Sequence, residues 1–221
     1  MSVDAADTFP ADVQELQGYF DVAQPGQAVR AVPGEGLKVP IWLLGSSLFS
    51  AQLAAFLGLP FAFASHFAPE HLHGALNLYR NQFKPSEQLQ EPYAMVAANI
   101  IVADSDAEAA FQFTSAQLGV LNMLRGQRNK MQPPIHDIEE RWSPMEKEGV
   151  QRFLTYSFVG DKETVRRGLT GLIDSTGANE IITTARVFDR SARFRSFELL
   201  AEVREAINSG GIDARALSAA V

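Results

Sequence analysis

The 221-residue chain contains no cysteine. That excludes a disulfide framework, thiolate metal sites and a cysteine nucleophile. Histidine is scarce, with only His66, His71, His73 and His136. His71 and His73 are two apart, so on a helix they would not share a face, which makes "HLH" a poor metal pair. No long hydrophobic run is present: Gly, Ser or Pro breaks every apolar stretch before the roughly 20 residues that a spanning helix needs. The segment MSVDAADTFPADVQELQ has neither the basic region nor the apolar region of a secretory signal. Basic residues are the minority charge, 19 Lys and Arg against 26 Asp and Glu, for a net charge of −7. Such a balance gives no overall attraction to nucleic acid or anionic membranes. The expectation is a cytoplasmic protein with neither as a partner.

What is present is enough apolar sequence for a substantial core, 46% of residues. Asp12, Val13, Leu16 and Phe20 fit a short first helix. "VPIWLLG" reads as a strand covered on both faces, and Ser46–Leu57 as a helix closed by Gly58. "FAFAS" is a second buried strand, and the helix 70–83 follows Pro69. "YAMVAANIIVA" is a third strand, and Asp104 or Ser105 caps the helix after it. Residues 126–150, polar and proline-containing, break the rhythm as an inserted loop and helical excursion. Asp161 then caps a helix that Gly177 ends, "EIITTAR" is a fourth strand, and a last helix covers about 191–208. This alternation specifies an α/β fold with a parallel sheet, open or closed, in a single domain over 1–221.

The stretch "IWLLGSSLFSAQLAAFLGLPFAFASHF" places Gly45, Ser46 and Ser47 where a strand ends and a helix begins. Functional groups gather at such junctions. A helix N-terminus offers unpaired N–H groups and the positive end of a dipole, glycine admits close approach, and the serines add hydroxyls, with Ser50 one turn later. The simpler reading is that Ser46 is only an N-cap. The turn matches neither a Walker A loop nor a Gly-x-Gly-x-x-Gly fingerprint. His66 at the end of the second strand is a candidate acid or base; a loop histidine with a structural hydrogen bond is the alternative. Asn99, inside an apolar strand, either serves a core network, the favoured reading, or faces the mouth of a barrel. Arg186 follows the last strand and could reach an anionic group or pair with Asp189 or Glu180.

"VPIWLLGSSLFSAQLAAFLGLPFAFASHFAPEHL", "PYAMVAANIIVADSDAEA", "VGDKETVRRGL" and "FDRSARFRSFELLAEV" together resemble the bacterial-luciferase-like flavin monooxygenases, in order and from about Phe9 onward. The resemblance implies a TIM-like (β/α) barrel. It implies reduced FMN, or deazaflavin F420 in some branches, with O2 and a small organic substrate, and a flavin reductase as supplier. By the same resemblance Gly45, Ser46, Ser47 and Ser50 hold the flavin phosphate, while Ala64, Ser65 and His66 lie beside the ring, His66 being the catalytic candidate. Four N-terminal βα units of the family have no counterpart. The expectation is therefore a partial barrel: its C-terminal four βα units, with the insertion before the last. Such a chain would self-associate as a homo-oligomer or pair with the missing half. The alternative is a non-catalytic flavin-binding or dimerising remnant.

Overall fold

The computed structural model describes residues 5–209; residues 1–4 and 210–221, the ends of the expected 1–221 domain, lie outside the described residues. Helix α1 spans Ala5–Phe20 and a long loop leads to strand β1, Leu43–Gly45. Then follow α2 (Leu48–Leu57), β2 (Phe61–Phe63), α3 (Leu72–Gln82), β3 (Ala94–Val102) and α4 (Asp106–Leu124). The second half comprises α5 (Pro144–Phe153), β4 (Ser157–Gly160), α6 (Lys162–Thr176), β5 (Glu180–Thr184) and α7 (Arg190–Ser209). Local sequence sets many of these limits. Ser105 and Asp161 each accept a hydrogen bond from a first-turn amide of their helix, and Gly58 and Gly177 close α2 and α6 in the left-handed region. Ser143 and Glu146 form a reciprocal capping box on α5.

Two expectations shift. The cap of α2 is Ser47, not Ser46: Ser47 is extended, with φ −139°, and its Oγ accepts from the Ser50 amide. Gly45 still belongs to the strand, so Ser46 is the connecting residue and the helix starts after Ser47. "EIITTAR" is the fifth strand rather than the fourth, because Ser157–Gly160 pairs with the second half of β3.

Every pairing in the sheet is parallel. Met95 and Val96 pair with both β2 and β5, so those strands occupy opposite edges of β3. Asn99 pairs with both β4 and β5, which puts β4 on the β2 edge, beyond the end of β2. The main arc is therefore β1-β2-β3-β5, with β4 attached to the C-terminal half of β3.

Side chains alternate across this arc. One face carries Leu43, Phe61, Phe63, Val96, Ala98 and Ile100, all buried in the main core against helix residues such as Leu53, Leu76, Leu169 and Leu199. The other carries Leu44, Ala62, Met95, Ala97 and Ile182. There the central alanines are buried, but Leu44 is 68% and Ile182 51% exposed. The expectation that β1 is covered on both faces thus fails at Leu44. β1 is an edge strand, and no described element lies over that face beside it.

Candidate functional site

The C-terminal ends of β1 and β2 meet. Ala64 donates its amide to the Gly45 carbonyl at 2.9 Å. That bond brings the Gly45–Ser47 turn and the Ala64–His66 segment together, as the adjacency of two parallel strands requires.

Gly45 is required by what stands behind it. A Cβ there would lie 2.0 Å from Ser50 Oγ and 2.2 Å from Ser50 Cβ. Ser50 is buried, and its hydroxyl donates to the Ser47 carbonyl at 2.8 Å. The close approach expected for a ligand is thus made by the first turn of α2, and the Ser50 hydroxyl is engaged inside the protein. Ser47 is exposed, and its Oγ accepts weakly from the Ser50 amide at 3.4 Å. The Ser46 hydroxyl has no protein partner among the described residues. The amides of Ser46, Ser47, Leu48 and Phe49 likewise have no protein acceptor there. Four unpaired N–H groups at the positive end of a helix offer hydrogen-bond donors without a lysine.

On the β2 side, Ala64 and Ser65 are buried, and Ser65 Oγ donates to the Ala97 carbonyl at 2.5 Å. Ser65 therefore ties β2 to β3. His66 is only partly buried. Its ring stands edge-on to Phe67, with centroids 4.7 Å apart, and its Nδ1 is buried without a hydrogen-bond partner. Burial first, and the Arg186 charge second, push the imidazole below its ordinary pKa. Desolvation disfavours the imidazolium, so the neutral ring, able to accept a proton, prevails at pH 7.

Asn99 holds this end of the sheet. Its Nδ2 donates to the His66 carbonyl at 3.0 Å and to Ser157 Oγ at 3.3 Å, while its Oδ1 accepts from Thr184 Oγ1 at 3.0 Å. One buried amide joins the segment after β2, the start of β4 and the end of β5, and it does so from the sheet face that carries Leu44 and Ile182. Ser157 and Thr184 were not singled out from sequence, because neither stands in a pattern that marks it. Arg186 pairs with neither Asp189 nor Glu180; no ion pair involves it among the described residues. His71 ends a 3-10 turn and His73 lies in the first turn of α3. No group of three or more metal-ligating side chains is assembled among the described residues.

Residues 8–180 match the model of the luciferase-like monooxygenase family. A luciferase-like monooxygenase of Escherichia coli K12 is 54% identical over 199 residues, covering 90% of this chain and 59% of that protein. The chain thus spans about three fifths of the length of that relative. The crystal structure of apo-MsnO8 superposes with a TM-score of 0.78 at 29% identity, covering 91% of this chain and 61% of that one. The oxygenating constituent of 3,6-diketocamphane monooxygenase from Pseudomonas putida, solved in complex with FMN, shares the fold at 18% identity and a TM-score of 0.52, over 81% of this chain and 52% of that one. With a family match over most of its length and a relative more than half identical, this chain belongs to the luciferase-like monooxygenase family.

Proposed function

We propose that the chain binds a flavin, with the phosphate at the Gly45–Phe49 turn and the ring beside Ala64 and His66, and serves a flavin-dependent monooxygenase reaction on a small organic substrate. Its sheet would be the C-terminal four βα units of a TIM-like barrel, with residues 126–150 inserted before the last. The observation that carries this is the set of four unpaired amides at the start of α2, one strand away from an unpartnered buried imidazole nitrogen. These groups fit a phosphate. The sequence-derived roles of Ser50 and Ser65 do not extend to direct contact, since both hydroxyls are engaged within the protein. FMN is the cofactor chosen, with a deazaflavin as the variant that the same phosphate turn would accept.

When bound, reduced flavin supplies the electrons for oxygen activation. The chain's own groups do less: the amides of Ser46–Phe49 fix the anionic tail, and neutral His66 offers a nitrogen to accept or relay a proton.

The test compares FMN with riboflavin, which lacks the phosphate, by fluorescence titration. FMN should bind at least tenfold more tightly. Ser47→Asp keeps a good N-cap but sets a negative charge at the turn, so it should erase that preference and leave riboflavin affinity unchanged. Equal binding of FMN and riboflavin to the unaltered protein would overturn the assignment.

A second reading has its own observation. Leu44 and Ile182 are more than half exposed on one sheet face. Another polypeptide, either a second copy or a chain supplying further βα units, would then be needed to complete a catalytic site, and this chain alone would bind flavin without turnover. Oxygenation of an organic substrate by the isolated chain supplied with reduced FMN and O2 would exclude that reading.

A further inference from the structure

A cavity of about 660 Å³ lies away from the turn just described. Its wall is one strip of α4 that includes Ser115, Gly119 and Met123, and it is closed by the loop carrying Arg128 and Lys130 and by Arg186 from beyond β5. The loop is folded back by a Schellman turn: the Gln127 amide donates to the Asn122 carbonyl at 2.8 Å and the Gly126 amide to the Met123 carbonyl at 3.0 Å, with Gly126 at φ 70°. Those bonds satisfy the end of α4, so the loop cations are not needed to cap it.

Charge partnering singles this cavity out. Most described lysines and arginines have a carboxylate, a carbonyl or an aromatic ring as partner. Arg125, three residues before Arg128, is held by Glu146 at 2.7 Å. Only Arg128, Lys130, Arg186, Arg193 and Arg204 have none among the described residues. Three of these five line one cavity, and no Asp or Glu lines it. This occurs in a chain with a net charge of −7. Behind the wall, Ser115 is 1% exposed and its Oγ has no hydrogen-bond partner. Buried hydroxyls are seldom left unpaired. The volume falls within the range of small-molecule sites. Ala116, Val120, Met123 and Met131 give it apolar surface, the methionines being adaptable in shape.

We propose that this cavity binds a small organic acid, its apolar body against Val120, Met123 and Met131 and its carboxylate, sulfonate or phosphate against Arg186, Arg128 and Lys130. The site is separate from the proposed cofactor phosphate turn. Gly45 ends β1 and Arg186 follows β5, three strand positions apart along the arc, or roughly 14 Å at the usual strand spacing.

The experiment is a fluorescence titration of the flavin-free protein with 2-naphthoate, 2-naphthyl phosphate and neutral 2-naphthamide. At least one of the two anions should bind tenfold or more tightly than the amide, and that affinity should fall as NaCl is raised. Arg186→Ala should weaken anion binding at least fivefold, as should Arg128→Ala combined with Lys130→Ala. All three side chains are exposed, so the variants should melt as the parent does. Arg204→Ala, which removes an unpartnered cation lining a different cavity, should leave binding unchanged. Equal affinity for anions and amide, or an equal loss in Arg204→Ala, would overturn the proposal. So would displacement of the probe by FMN but not by riboflavin, which would move the flavin phosphate here. Because no flavin is added in the main titration, its failure would leave the cofactor reading standing.

Discussion

The two faces of the sheet are made of the same strands and behave differently. On one, Phe61, Phe63, Val96 and Ile100 are fully or almost fully buried beneath helices. On the other, several neighbours of those residues are small or polar, as in Ala62, Ala64, Ala97 and Asn99, although Met95 and the buried Ile101 are large, and the edge positions Leu44 and Ile182 stand exposed. Alternation along a strand sends adjacent residues to opposite faces, so Leu43 at 5% and Leu44 at 68% exposure differ by environment and not by chemistry. The packed face holds the fold together. The other face, with hydrogen-bonded groups at Asn99 and His66, is less completely covered.

The largest effects should therefore come from the packed face. Phe61→Ala removes a fully buried ring that packs edge-on against Phe63 and at a tilt against Tyr79. It should cost about 3–5 kcal/mol of unfolding free energy, measured by urea titration. A loss below about 1 kcal/mol would mean that this core is loosely packed, and the contrast between faces would collapse. Next comes Asn99→Ala. It strands the His66 carbonyl and removes the ties to Ser157 and Thr184, for an expected cost of about 1–3 kcal/mol. A near-neutral result would show that the Asn99 network does not hold the strand ends.

How much of this was legible in the sequence depends on how local each cause is. The cap at Asp161 and the stops at Gly58 and Gly177 could be read directly, and the cap of α4 narrowed to Asp104 or Ser105, since each is decided within one helical turn. Asn99 was legible too, because an amide in an otherwise apolar strand must find partners. β4 was not. "SFVG" is only four residues long and is a strand because Ile100–Val102 lie beside it, a pairing almost sixty residues distant. The reason for Gly45 was also hidden. Glycine at a strand-to-helix junction suggested a ligand, but only the folded turn shows Ser50 occupying the space of a Cβ. Of the site, the turn and His66 were readable as types and spacing. The internal engagement of Ser50 and Ser65 was not, since a hydroxyl's partner is set by tertiary contact.

A smaller effect is expected at His66, where the faces meet. Its folded pKa is lowered, by burial first and by Arg186 second. The unfolded chain therefore binds the proton more readily. The resulting stability is fully present above the unfolded value near 6.5 and is lost as pH falls through the lower folded value. Melting temperature should drop between pH 7.5 and 5.5, and His66→Gln should show a shallower drop. Parallel pH profiles for the two proteins would place the pH sensitivity elsewhere.

The smallest effect on folding should come from the exposed edges. Leu44→Gln with Ile182→Gln replaces side chains that touch little in the single chain, so stability should change by no more than about 0.5 kcal/mol for each. Self-association is where the pair should matter. Among the described residues β1 and β5 each pair on one side only, and edges with exposed apolar side chains are templates for pairing. Sedimentation velocity over a concentration series should show the parent shifting to larger species and the double variant shifting less. Both results are needed, because they divide the two roles of an apolar residue. A loss of 2 kcal/mol or more in the dilute variant would mean that Leu44 and Ile182 are covered within the single chain, and the exposed face would then be a second packed one. Unchanged stability with unchanged association would leave the edges exposed but inert, removing the physical reason for a second polypeptide on that face.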